Sequence, residues 1–217
     1  MKIWDPFITF SKEIVSTLSS VAQPRRKIAE FDNVIHTTTT YTASFLDTGS
    51  LTSIIDARET RGLWMMHTAL FAADNRPSPI YGFDIICSAT KVTGCFHDLS
   101  PTTEPSPFTH DYNSTRSRPL PDWAKEIFSP NMIATALPNS EQITALTSIG
   151  LTTLSNYVTT LTEHPTTSDQ EYINAHMEGK RKYCYNQLQN TNSKNVIVSL
   201  GLSEEYVTEF KKDQFPH

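Results

Sequence analysis

Between Phe31 and Leu99 the chain is written in short runs rich in Thr, Ile, Val, Phe and Tyr: FDNVIHTTTTYT, LTSIID, GLWMMHTALF, PIYGFDIICS and KVTGCFHDL. β-Branched and aromatic residues suit the pleated, half-buried surface of a sheet, so each run is expected to form a strand. Parallel pairing would need a crossover of about a dozen residues or more between successive strands. The connections here are too short for that, so the strands are expected to pair antiparallel as a meander, and the rest of the chain must pack against that sheet.

Helical periodicity brackets the strands. From Ile3, the residues Phe7, Phe10, Ile14, Leu18 and Val21 recur every three or four positions, which predicts a helix that stops before Pro24. Pro101, Pro105, Pro107, Pro119 and Pro121 make Ser100 to Asp122 a long irregular connection, a kind often used as a lid or binding loop. Beyond it, Ser140 is a candidate N-cap for a helix whose stripe is Ile143, Leu146, Leu154, Tyr157 and Leu161. A second helix is expected from about Gln170 to Gln189 through Ile173, Met177, Cys184 and Leu188. A short last one starts near Ser203, with Glu204 and Glu205 favouring its N-terminal dipole. Helix, strands, then helices describe an α+β sandwich with helices covering the sheet, folded as a single domain over residues 1–217.

The formal net charge of -5 argues against nucleic acid as a main partner, because neutralising phosphates needs a basic surplus. No apolar run approaches the ~20 residues needed to span a bilayer, so no membrane is expected. The glycines are too scattered for GxGxxG or a P-loop, and the Cys and His spacings form no CxxC, HExxH or zinc knuckle. Neither a bound cofactor nor a metal is expected. Cys87, Cys95 and Cys184 cannot all pair within one chain, which fits a reducing compartment, and a cytoplasmic monomer is expected.

Two residues stand out within the strand-like runs. Asp84 interrupts the apolar PIYGFDIICS, and a buried carboxylate must be hydrogen-bonded, protonated or shifted in pKa. Two readings are open: an Asp bonded to backbone amides or facing solvent from an edge strand, and a proton donor or base in a cleft. His67 in GLWMMHTALF is open in the same way, between a satisfied core group and a group that titrates near neutrality. If the two runs are neighbouring antiparallel strands, His67 and Asp84 fall across the ladder on one face. Twofold alternation then sets Met65 and Ala69 beside His67, and Gly82 and Ile86 beside Asp84. Such a face suits a flat, largely apolar ligand with two titratable groups beneath it.

Four segments together resemble the ferredoxin-dependent bilin reductases, most closely the phycocyanobilin-forming and phage-type branches. They are LWMMHTALF, PIYGFDIICS, the pair KVTGCFHDLSPT and LPDWAKEIFS, and the tail KYCYNQLQNTNSKNVIVSLGLSEEYVTEFKKDQF. The resemblance implies a three-layer α/β/α sandwich around an antiparallel sheet, with an open-chain tetrapyrrole held between the sheet and the C-terminal helices. It implies reduction of biliverdin IXα by single electrons from reduced ferredoxin, each coupled to protonation through bilin radicals. No bound cofactor is then required, because the conjugated substrate carries the unpaired electron. A phage-borne enzyme would work in its host's cytoplasm.

Carried over by position, Asp84 is implied as the central proton donor and His67 as the group that supports it. Asn190 matches a tail position where relatives carry Asn or Asp, while Thr93, Trp123, Tyr183 and Phe215 match pocket or near-pocket positions. The phycocyanobilin-forming branch also uses a Glu shortly before its histidine, and ungapped counting reaches Ile55 there; Asp56 or Glu59 would serve only by a shift. An Arg that holds a propionate after the IFS stretch has no counterpart in IFSPNMIATALP, which leaves Lys194, Arg61 and Arg181 as candidates. These departures favour a four-electron route through 15,16-dihydrobiliverdin to phycoerythrobilin, with phycocyanobilin as the alternative product and a non-catalytic bilin carrier as the alternative class. An acidic ferredoxin needs a basic patch, expected at Lys180, Arg181 and Lys182 rather than at Arg25, Arg26 and Lys27.

Overall fold

The computed structural model describes residues 3–31, 34–56, 62–103, 108–113, 118–137, 139–163 and 165–215. Its elements in chain order are α1 (Asp5–Ser19), β1 (Gln23–Phe31), β2 (Val34–Ala43), β3 (Leu46–Asp56), β4 (Trp64–Ala72), β5 (Ile80–Cys87), β6 (Val92–Ser100), α2 (Asp122–Lys125), β7 (Ile133–Leu137), α3 (Ser140–Glu163), α4 (Gln170–Leu188), α5 (Thr191–Ser199) and α6 (Glu204–Gln214). The strands form one sheet in the order β1-β2-β3-β4-β5-β6-β7, and every neighbouring pair is antiparallel.

Alternation along the strands gives the sheet two different faces. One carries Trp64, Met66, Leu70, Tyr81, Phe83 and Ile85 into a core with Phe7, Phe10, Ile14 and Leu18 of α1 and Leu146, Leu154 and Leu161 of α3. The opposite face carries Ala69, Phe71 and Ile80 against Tyr183, Cys184 and Phe215, and Val34 and Ile54 against Ile197 and Val207. The result is an α/β/α sandwich, with α1 and α3 on one side and α4, α5 and α6 on the other. Cys87, Cys95 and Cys184 are buried free thiols.

Several elements differ from the sequence expectation. FDNVIHTTTTYT straddles two strands, since Phe31 closes β1 and Val34 opens β2. β1 holds the charged Arg25, Arg26 and Lys27 and starts beside Pro24 because it is a sheet edge, where a missing N–H and a solvated face are tolerated. β7 forms the other edge. α3 is capped one residue earlier than expected: Asn139 Oδ1 accepts from Gln142 N at 2.9 Å, so Ser140 is already helical.

α4 is rotated relative to its predicted stripe. Its buried residues include His176, Lys180, Tyr183, Cys184 and Gln187, whereas Leu188 is exposed. The buried stripe is polar because α4 seats on loops and strand ends: His176 Nδ1 meets Thr102 Oγ1 at 2.7 Å. Gly179 permits this seating, since a Cβ there would overlap the Thr102 backbone.

Candidate active site

β4 and β5 are aligned so that His67 faces Asp84 directly across the ladder. The His67 Nδ1 hydrogen-bonds Asp84 Oδ1, and the two side chains remain 20% and 35% exposed on the helical side of the sheet. In the same transverse row come Thr52 on β3 and Phe96 on β6. An edge-on contact with Phe215 at 5.6 Å orients the His67 ring. Its Nε2 is buried and has no hydrogen-bond partner among the described residues.

This row is the floor of a cavity of about 420 Å3. Met65, His67, Asp84, Ile86, Thr93, Ile54 and Thr52 come from the sheet; Asn190, Ser193, Val196, Phe210, Lys211, Gln214 and Phe215 come from the C-terminal segment. Arg118, Leu120, Pro121 and Trp123 close a third side, so the end of the Pro-rich connection is part of the wall. The volume lies in the range of small-molecule sites, and the wall is mostly apolar with a few convergent polar groups. Asp84 is the carboxylate among the described residues that line it.

Eight sequence-predicted residues therefore meet at one cavity: Asp84, His67, Met65, Ile86, Thr93, Trp123, Asn190 and Phe215. Asn190 caps α5, its Oδ1 accepting from Asn192 N at 3.1 Å and Ser193 N at 3.3 Å, so that oxygen is committed to the fold. Tyr183 stands behind the wall. Its hydroxyl accepts from Gln187 Nε2 at 3.0 Å and lies 3.7 Å from where a Gly82 side chain would begin, so the space at Gly82 is used by Tyr183. Burial pushes the Tyr183 phenol well above its ordinary pKa, with Asp84 acting in the same direction.

Two expectations need correction. Lys180 is no docking residue: its side chain is 1% exposed and its ammonium meets Asp47 and Asp74 at 2.6 Å each and the Ala72 carbonyl at 3.2 Å. Consecutive helical residues point about 100° apart, so one member of Lys180-Arg181-Lys182 faces the sheet while Arg181 and Lys182 stay exposed. Lys194 does not line the cavity; it pairs with Glu204 at 2.7 Å on the surface. Arg61 and Glu59 lie outside the described residues. Asp56 is buried at the end of β3 and is not part of the cavity wall.

The sequence reading missed Lys211, Arg118, Thr52 and Gln214 on the wall. Lys211 Nζ donates to Asn190 O at 2.8 Å and is held down to a pKa of about 8, first by burial and then by Lys194. Arg118 is fixed by a bond from its guanidinium to the Thr93 carbonyl. The Asp-Leu-Ser and Ile-Phe-Ser segments prove to be one structural cross-link. Asp98 accepts from Ser100 Oγ at 2.9 Å and from Ser129 N and Oγ at 2.8 and 2.5 Å. Burial still pushes its carboxyl up to about 6, against those hydrogen bonds.

A sequence profile of the family described as ferredoxin-dependent bilin reductase matches residues 52–211. The chain is 25% identical over 170 residues to the phycocyanobilin:ferredoxin oxidoreductase of Prochlorococcus marinus strain MIT 9515, covering 72% of this chain and 67% of that protein. To the protein of the same name from Prochlorococcus marinus strain SARG it is 27% identical over 147 residues, covering 63% of this chain and 58% of that one. Among solved structures, it is similar to PcyX, with a TM-score of 0.64 at 22% identity and 94% of each chain covered. It is also similar to tomato phytochromobilin synthase in complex with biliverdin, with a TM-score of 0.69 at 15% identity, covering 86% of this chain and 75% of that one. At these identities the structural likenesses speak to the fold.

Proposed function

The chain belongs to the ferredoxin-dependent bilin reductase family, and from that membership we propose that it reduces biliverdin IXα with single electrons from ferredoxin and protons passed on by Asp84. The observation that carries this is the His67–Asp84 pair on the floor of a largely apolar cavity between sheet and helices. A bilin lying flat on Met65 and Ile86 would present its pyrrole nitrogens to Asp84. Reduction of each double bond takes two electrons and two protons. The Asp84 O–H gives a proton to the reduced bilin, and the carboxylate left behind accepts from His67 Nδ1–H. No protein-bound redox group takes part in this scheme, because the extended conjugation of the substrate holds the unpaired electron.

The cations on the wall, Lys211 and Arg118, take the place of Lys194 as partners for the bilin propionates. Ferredoxin is assigned to the exposed part of α4 at Arg181 and Lys182. The product we favour is phycoerythrobilin, formed through 15,16-dihydrobiliverdin. Supporting it, the cavity wall carries Ile54 on this part of β3 and no second acid among the described residues, while Ile55, the residue reached by ungapped counting, packs on the other side of the sheet. The names of the two curated relatives favour phycocyanobilin as the second reading.

Anaerobic turnover with ferredoxin and a ferredoxin reductase, followed by chromatography against bilin standards, decides between the products. Asp84→Asn should bind biliverdin with a shifted visible spectrum and lose nearly all product. Unchanged turnover would remove Asp84 from its role, and wild-type binding without reduction would leave a bilin carrier.

A further inference from the structure

From α6, a hydrogen-bonded line of polar side chains runs across the sheet to Thr52, beside the His67–Asp84 pair. Tyr206 OH lies 2.6 Å from His36 Nδ1, and His36 Nε2 lies 3.1 Å from Thr38 Oγ1. Thr38 Oγ1 lies 3.3 Å from Thr52 Oγ1. Thr52 is the cross-strand partner of His67, and such partners hold their Cβ atoms ~5 Å apart. Gln214 Nε2 donates to Thr52 Oγ1 at 2.6 Å.

Donor counting allows the line to run in one direction throughout, toward Asp84. A hydroxyl has one O–H and two lone pairs. Either of Thr38 and Thr52 can donate to the other; with Gln214 donating to Thr52 and Thr38 set as the second donor, both lone pairs of Thr52 are used and its O–H is left to donate. Its cross-strand neighbour is His67, whose Nε2 is buried and unpartnered among the described residues; no hydrogen bond joins the two in this structure, so this last step needs a small closure during turnover. Thr38, donating to Thr52, must accept from His36 Nε2–H. His36 Nδ1 then accepts from Tyr206 O–H. Every donor points toward Asp84, and the arrangement requires a neutral His36. Burial, aided by Lys27, holds the His36 pKa down to about 4, while Tyr206 and Phe210 pack edge-on against its ring at 5.8 and 4.5 Å.

We infer that Tyr206, His36, Thr38 and Thr52 form a proton track that refills the His67–Asp84 pair from the α6 surface during turnover. The inference rests on the proposed reductase activity and supplies what that activity needs. A four-electron reduction consumes four protons, whereas Asp84 gives up one and becomes a carboxylate beneath a bound ligand. A proton entering at Tyr206 reaches His36 Nδ1, and the Nε2 proton moves to Thr38. Proton hops through Thr38 and Thr52 protonate His67 Nε2, and His67 Nδ1–H passes to Asp84 Oδ1. Each group ends with the number of protons it began with, and only Asp84 gains one.

The test uses the full chain with biliverdin and reduced ferredoxin, following bilin radical decay by stopped flow in H2O and D2O. Thr38 is off the cavity wall, so Thr38→Val should bind biliverdin as wild type does, yet its radicals should decay about tenfold more slowly and with a larger solvent isotope effect. Thr38→Ser and Thr52→Ser, which keep the hydroxyl, should restore the rate, and Thr52→Val, once saturated with biliverdin, should show the same slowed radical decay and larger isotope effect as Thr38→Val. Wild-type turnover with Thr38→Val and Thr52→Val unchanged in rate and isotope effect overturns the track alone. Absence of turnover in the wild type overturns the reductase activity and the track with it.

Discussion

Replacing Lys180 with Met separates a structural lysine from a docking lysine. Met keeps the apolar stem in place and removes an ammonium whose three donors are all used, by Asp47, Asp74 and the Ala72 carbonyl. Breaking a buried ion pair by removing one partner costs about 3–5 kcal/mol, mainly because the other charge is left without compensation. Here the two carboxylates are 31% and 49% exposed and can still reach water, which puts the loss at the low end, about 3 kcal/mol. For a domain of this size each kcal/mol lowers the melting temperature by about 2–4 °C, so thermal unfolding followed by far-UV circular dichroism should drop by about 6–12 °C. At a temperature where the variant is folded, its dependence on ferredoxin concentration should match the wild type. A melting temperature within about 1 °C of wild type, together with a raised ferredoxin requirement, would refute the argument and return Lys180 to the surface.

Reversing Arg181 and Lys182 to Glu should raise the ferredoxin concentration needed for half-maximal turnover without changing biliverdin affinity, and the difference should shrink as salt is added. Gly179→Ala should lower stability by about 1–3 kcal/mol in urea melts, even though Ala gains ~1 kcal/mol over Gly in a helix, because its Cβ meets Thr102 backbone that cannot turn aside. Acid should destabilise the fold through its buried histidines. Burial holds His36, His97 and His176 down to about 4, so the folded state binds fewer protons than the unfolded one. Their contribution is present above about 6.5 and is lost as pH falls toward 4, about 3 kcal/mol for the fully buried His97. Asp98, raised to about 6, works in the opposite sense, favouring the fold below that pH, and offsets part of the loss. His97→Leu should flatten the dependence of the urea midpoint on pH by about one proton; an unchanged slope would mean that His97 is charged in the fold.

The sheet centre was readable because β3 to β6 are consecutive, antiparallel and joined closely, so that twofold alternation and register follow from the runs themselves. Given that the two runs are neighbours, which the structure supplies, His67 and Asp84 fall opposite each other. The edges were not readable. β1 has no apolar alternation, since Gln23 to Ile28 are exposed on both faces of the sheet edge, and β7 is a five-residue strand following a Pro-rich connection. α4 was recognised as a helix and Cys184 correctly set on its buried side, but the stripe was misplaced at Leu188, because apolar spacing is a poor guide when the buried stripe includes His176, Lys180 and Gln187. Lys211 and Thr52 gave no local signal at all. Their places on the wall come from α6 folding back over the sheet, contacts between residues far apart in sequence such as Gln214 with Thr52.

Asp84 is the carboxylate among the described residues of the cavity; if it is the one donor of the proposed reduction, successive protonations share it, and control of rate separates from control of product. On the proposed track, the donor's supply would be set beneath the ligand, by His67 and the line of hydroxyls and imidazole that ends at Tyr206. Which bilin carbon receives each proton depends instead on the electron distribution of the radical and on how the ligand lies over Asp84. That placement belongs to Met65, Ile86, Trp123 and Phe215 around the wall. Changes along the proton line should therefore slow reduction while keeping its product, and changes in the wall should redistribute products even where the overall rate survives. An enzyme built on two independent acids would couple the two effects, since losing either acid would remove both a proton and a position.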